Sequence, residues 1–194
     1  MKKAITRSLI FLLMLTGICR AADESPNSKL DFTLDKEFKN VIIDILSNKK
    51  DLYAKNGQKV LSSKVLSSRY TLRIDDEGVT NVLEIISRKK VEAKVLREKV
   101  ILHLEEKISV DFKSMKIETK LVGNNQKYKK YESIILISKD KEATNVEMKA
   151  WVALKSSNVR KWLLNAFVKS SLKKFERALR EITGCPDEHI SESE

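Results

Sequence analysis

The sequence predicts an α+β domain: a curved antiparallel sheet of about six to seven strands wrapped around a long C-terminal helix, with a shorter N-terminal helix. Three observations predict it. Residues 156–184 place apolar side chains at steps of three and four, the period of a helix with one apolar face. Between Val60 and Leu154 the apolar residues recur mostly at every second position, the period of half-buried strands. Short polar turns separate those strand-like runs, which suits antiparallel neighbours rather than parallel crossovers.

The first element is not part of the domain. Residues 1–21 have the three-part form of a secretory signal. Lys2, Lys3 and Arg7 make the basic start, Leu9 to Leu15 a short apolar run, and Ala21 and Ala22 the small residues for cleavage. The run is too short to span a bilayer, so no transmembrane span is expected after signal removal. Cys19 raises a lipoprotein alternative. Against it, Ile18 stands where a lipobox has a small residue, and Leu15 lies one place too early. The expected localisation is therefore secreted or periplasmic, with release after Ala21 or Ala22. Cys185 is then the only cysteine of the mature chain and cannot close an internal disulfide.

Residues 22–29 are polar and read as a linker, residues 30–184 as a single domain, and residues 185–194 as a flexible acidic tail. Leu30, Phe32 and Leu34 alternate with polar residues, as on a half-buried strand. Asp35 is a helix cap, and Phe38, Val41, Ile42, Ile45 and Leu46 form the stripe of the shorter helix. Leu52 to Gly57 reads equally as a turn or a brief helix. Tyr70, Leu72 and Ile74 alternate up to a turn at Asp76-Glu77-Gly78, and Val79 to Ile86 returns as the next strand. Val91 to Leu104 fits both periods; its β-branched content favours strands. Ile108, Val110 and Phe112 alternate, then the phase slips by one, so a bulge or tight turn is expected near Lys113-Ser114. Gly123-Asn124-Asn125 is a loop, Tyr131 to Ser138 a buried strand, and Lys139 to Glu142 a charged turn. Val146, Met148, Ala150 and Val152 form the last strand. The long helix follows, capped at Ser156 or Ser157 and stopped by Gly184 and Pro186.

Composition narrows the function classes. Of 194 residues, 42% are apolar, enough for one sizeable core, and 34% are charged, which rules out a membrane-embedded domain. The formal charge is +11, of which four positives precede residue 22. The remainder is spread over strands and helix without a block, so a nucleic-acid partner is not expected. Two isolated histidines and one mature cysteine fall short of the three or four ligands of a zinc site, and neither metal nor cofactor is implied. His103 reads as a surface residue, and Glu105 and Glu106 as solvated charges. Ser62-Ser63 and Ser67-Ser68 lack the glycine setting of a hydrolase nucleophile, so no catalytic residue is assigned.

The order of elements, with a final strand running into a long amphipathic helix (VEMKAWVALKSSNVRKWLLNAFVKSSLKKFERALREI), resembles the START-like helix-grip family, also called the polyketide cyclase or SRPBCC group. The likeness covers residues 30 to 183 in architecture and rests on no residue motif. It implies an apolar or amphipathic small molecule, such as a lipid, held between sheet and terminal helix. Leu164, Val168, Leu172 and Phe175 on the helix face, with Tyr70 and Leu72 on the sheet, are the expected ligand-binding residues. Ser171 and Ala178 leave shallow places on that face. Two departures stand out: familiar members are cytosolic, and no clear second helix follows the first. The alternatives are a cell-envelope interaction domain docking a protein partner through the helix face, or an enzyme on the same fold. The enzyme reading requires Tyr70, Arg73, Glu84 or His103 to face inward.

Overall fold

A computed structural model describes residues 25–75, 78–95, 98–155 and 159–185. The proposed signal, Cys19, residues 22–24 of the linker, the Asp76-Glu77 turn residues, the Ser156 and Ser157 caps and the acidic tail after Cys185 lie outside the described residues. Strand β1 (Ser28–Leu34) is followed by helices α1 (Phe38–Ser47) and α2 (Lys49–Lys55). Strands β2 (Gln58–Asp75), β3 (Gly78–Val95), β4 (Glu98–Val110), β5 (Ser114–Leu121), β6 (Tyr128–Asp140) and β7 (Ala143–Leu154) follow, then helix α3 (Lys161–Thr183). They form one seven-stranded sheet in the order β1-β7-β6-β5-β4-β3-β2. Every pairing is antiparallel, so β2 to β7 are a meander and β1 crosses over to the far edge.

This is the α+β architecture that the periodicities predict. The ambiguous stretch from Val91 to Leu104 is strand on both sides of the β3–β4 turn, with Val91 opposite Leu102. The phase slip near Lys113-Ser114 is a tight turn, in which the Asp111 carboxylate accepts from the backbone N–H of Lys113 at 2.8 Å and of Ser114 at 2.6 Å. Two expectations need correction. Strand β1 starts at Ser28, inside the stretch read as linker. Residues 49–55 are helical: α2 is a real second helix, with only Leu52 buried, too little to produce a visible apolar stripe.

Register shifts at Val60/Ser62 and Val65/Ser67 in β2, and at Tyr128/Lys130 in β6, add to the strand twist that curls the sheet. The helices lie on the concave side. Phe38, Val41, Ile42 and Ile45 of α1 and Val168, Leu172, Ala178 and Leu179 of α3 join the inward residues of the sheet in one core. The predicted helix face is the buried one, with Leu164, Phe175 and Ile182 half-buried along it. The helix starts later than expected, at Lys161 after an Arg160 N-cap rather than from Ser156 or Ser157, and its 23 residues span about 34 Å at ~1.5 Å each.

Its C-terminal end is fastened. The Lys36 ammonium donates to the Thr183 carbonyl at 2.6 Å, and the Thr144 hydroxyl donates to the Lys36 carbonyl at 2.7 Å. Gly184 caps the helix with φ +69°, and the Cys185 N–H donates to the Arg180 carbonyl at 2.9 Å. A Cβ at Gly184 would meet no atom within 4 Å, so the cost of a side chain there is conformational alone. Gly184→Ala is expected to lower unfolding free energy by about 1 kcal/mol, and Gly184→Asn by less. Urea denaturation reads this directly; an alanine variant as stable as the parent would show that the left-handed cap is dispensable.

The β2–β3 hairpin outreaches the rest. Each strand has 18 residues, but β3 pairs with β4 only from Leu83 onward. The distal part projects as a two-stranded ribbon with Leu72 and Val79 exposed and Tyr70 exposed at its base.

Candidate functional site

The concave side of the sheet and the three helices enclose a cavity of about 130 Å³, against the ~10–15 Å³ that one water molecule needs. Phe167, Val168, Leu172 and Phe175 of α3 form its roof, with Ile45 and Leu52 from the other two helices. Leu102, Leu104, Ile117, Ile135, Met148 and Val152 are the sheet's share of the wall. They reach one surface because alternate residues of neighbouring strands stay in register: Ile108 opposite Ile117, Ile117 opposite Ile135, Ile135 opposite Met148. Ser171 lies on the roof between Val168 and Leu172, its hydroxyl donating to the Phe167 carbonyl at 3.1 Å. The shallow place expected there is real. Ala178 is buried but lies in the packed part of the core.

The expected ligand-binding residues are distributed unevenly. Val168, Leu172 and Phe175 are on the cavity wall. Leu164 packs against the core without lining the cavity. Tyr70, at the base of the projecting ribbon, and Leu72, on it, are 79% and 68% exposed and contribute nothing to the cavity. Their alternation is that of a strand, but no helix lies over that end of the sheet. The aromatic residues that do reach the cavity are Tyr53, Tyr128 and Tyr131. The rings of Tyr128 and Tyr131 meet edge to face, with centroids 6.1 Å apart. Burial holds both hydroxyls well protonated.

A charged cluster stands in the mostly apolar wall, and it overturns the reading of Glu106 as a solvated charge. Glu106 is on the inward face of β4 and only 1% exposed. Its carboxylate accepts from Lys89 at 2.8 Å, and from the Lys49 ammonium and the Tyr53 hydroxyl. Lys89, buried on β3, also donates to the Tyr53 oxygen at 3.1 Å and lies 4.4 Å from the centre of its ring. The geometry follows from two periods. Lys49 and Tyr53 are four apart on α2 and share a helix face. Ser87 pairs with Glu106, which makes Lys89 its diagonal neighbour on the same face.

Burial and Lys49 together lower the Lys89 pKa to about 8, with attraction to Glu106 opposing them. Burial alone would raise Glu106, but Lys49 and Lys89 outweigh it and hold the carboxyl below its ordinary range. Burial and the neighbouring Glu106 charge drive the Tyr53 hydroxyl well above its usual value.

The sequence offered a signal for Glu106 and Lys89. Glu106 shares parity with Leu102, Leu104 and Ile108, and Lys89 with Val91 and Ala93. Of the groups an enzyme reading needs, His103 is exposed, and so is Tyr70 at the base of the ribbon. Glu84 is on the opposite face of β3 from Lys89, paired with Lys107 at 2.7 Å and Arg69 at 2.8 Å. The Arg73 side chain lies outside the described residues. Leu172 is buried in the core, so the helix face is not an open docking surface. Among the described residues no helix is long and apolar enough to cross a membrane.

A meander of antiparallel strands curled around a terminal helix, with a cavity between them, is a START-like helix-grip fold. Solved structures share it. A START superfamily protein from Mycobacterium smegmatis is 12% identical, with a TM-score of 0.57 over 81% of this chain and 96% of that one. A STAR-related lipid transfer protein fragment from Xanthomonas axonopodis is 14% identical, with a TM-score of 0.53 over 85% and 90%. A protein from Thermus thermophilus is also 14% identical, with a TM-score of 0.52 over 80% and 94%. No family model matches the chain, and no curated protein does. At these identities the likeness establishes the fold.

Proposed function

We propose that this chain is an exported binding protein that holds an apolar or amphipathic small molecule, of lipid-like character, between its sheet and α3. The observation that carries the reading is the cavity itself, apolar on most of its wall with a small number of polar groups, as such ligands require. The lipid transfer protein from Xanthomonas axonopodis, which shares the fold, supports it. The export half rests on the signal-like residues 1–21.

Two measurements test it. Native mass spectrometry of protein purified from the extracytoplasmic fraction of an expressing bacterium should find a bound small molecule on a chain beginning at Ala22 or Asp23. Ser171→Trp, which places an indole in the roof, should weaken binding of an apolar fluorescent dye about tenfold while the circular dichroism spectrum is unchanged. An empty wild-type protein that binds no such dye would refute the binding reading. A cytoplasmic, uncleaved chain would refute export.

A further inference from the structure

The polar cluster of the cavity wall has an unbalanced charge. Lys49 and Lys89 bring two ammonium groups and Glu106 one carboxylate. The other charged residue on the wall, Lys149, has its own partner in Glu147 at 2.6 Å. Lys89 is tied inward, to Glu106 and to Tyr53. Lys49 differs: it lines the cavity, its side chain is 24% exposed, and its one bond to Glu106 uses one of three N–H donors. Asn56, at the end of α2 on the same wall, holds a buried side-chain oxygen with no hydrogen-bond partner. Half a turn of that amide would present its N–H₂ to the same space. Most of the remaining wall is hydrocarbon or tyrosine, with Gln58, Thr119, Ser133 and Ser171 as its neutral polar residues, a low-dielectric setting where one anion gains from one surplus cation.

We propose that the wall formed by Lys49, Glu106 and Tyr53, with Lys89 behind Glu106 and Asn56 beside it, is the subsite for the carboxylate head of an amphipathic ligand whose chain lies under α3. The proposal rests on the binding reading above and names the ligand's class. A monoanion matches the single surplus charge; a phosphate monoester, at about −1.5 to −2, exceeds it. Glu106 then has a second task besides holding the lysines. It cancels one of the two, so that the site attracts a carboxylate rather than a dianion.

The test uses the purified full-length protein, stripped of bound molecules, with three probes of one chain length: decanoate, decanol and decyl phosphate. Calorimetric titration should give decanoate at least about tenfold tighter binding than decanol, the size expected of charge-assisted hydrogen bonds. In Lys49→Gln the ratio of decanoate to decanol affinity should fall to about one, and in Lys49→Arg it should stay near the wild-type value. Equal binding of decanoate and decanol by the wild type would overturn the headgroup assignment and leave the cavity reading standing. Decyl phosphate binding tighter than decanoate would overturn the choice of carboxylate. Binding of none of the three would remove both readings. The wild-type ratio decides the question even where a Lys49 variant folds poorly.

Discussion

Glu106→Ala is expected to destabilise the protein by about 3 kcal/mol, the low end of the ~3–5 kcal/mol for breaking a buried ion pair. Two ammonium groups would be left together at an apolar wall with no counter-charge. The low end applies because each lysine has a way out: Lys49 can turn to water, and Lys89 already gives up its proton near pH 8. Glu106 helps hold the Lys89 pKa up to about 8, so in the variant Lys89 sheds its proton at lower pH, and the cost should shrink as pH rises toward 8 and level off above it. A Lys89→Met/Glu106→Leu double variant should recover part of the loss, because it removes the buried pair together and leaves only Lys49, which can turn to water. Urea unfolding at pH 7 and pH 9 measures all of this. A single variant within 0.5 kcal/mol of wild type, well below the ~3–5 range, would show that the cluster is not the buried network described here.

Leu179→Ala is expected to cost about 3–4 kcal/mol, within the ~2–5 kcal/mol range for emptying a packed leucine site. Leu179 is fully buried, in the part of α3 that lies away from the cavity. Leu172→Ala should cost less, although both are buried leucines on one helix face. Leu172 already borders open space, so its outer atoms have fewer partners to lose. Thermal and urea unfolding of both variants would rank them. The opposite order would place the void elsewhere under the helix.

Much of this architecture was legible in the residues, and for a definite reason. Alternation at every second position marks strands whatever their partners, and the meander order then needs only short turns. Gly184 stopped the helix where its pattern ended. What stayed hidden depends on distances along the sheet. Tyr70 and Leu72 alternate as well as Leu102 and Leu104 do. Whether a strand position is roofed by a helix depends on how far β3 outruns β4, and no local pattern encodes that length. Helix α2 stayed undecided between turn and helix because seven residues with one buried leucine carry no periodicity. The charged cluster escaped differently. Its members keep the parity of the apolar face, but a lysine or glutamate at such a position reads as solvated until its partner is known. That partner came from another strand and another helix.

The long β2 edge has a consequence of its own for crowded solution. Its outer side is the rim of the sheet, and Leu61, Val65 and Leu66 stand exposed along it. Such a rim invites a second chain to add itself as the next strand. Lys59, Lys64 and Arg69 are spread along the same strand, so two molecules approaching rim to rim bring like charges together. That barrier is electrostatic, and concentrated salt removes it. Clumping that begins only in brine, and is relieved by dilution into low salt, would be the behaviour of this rim.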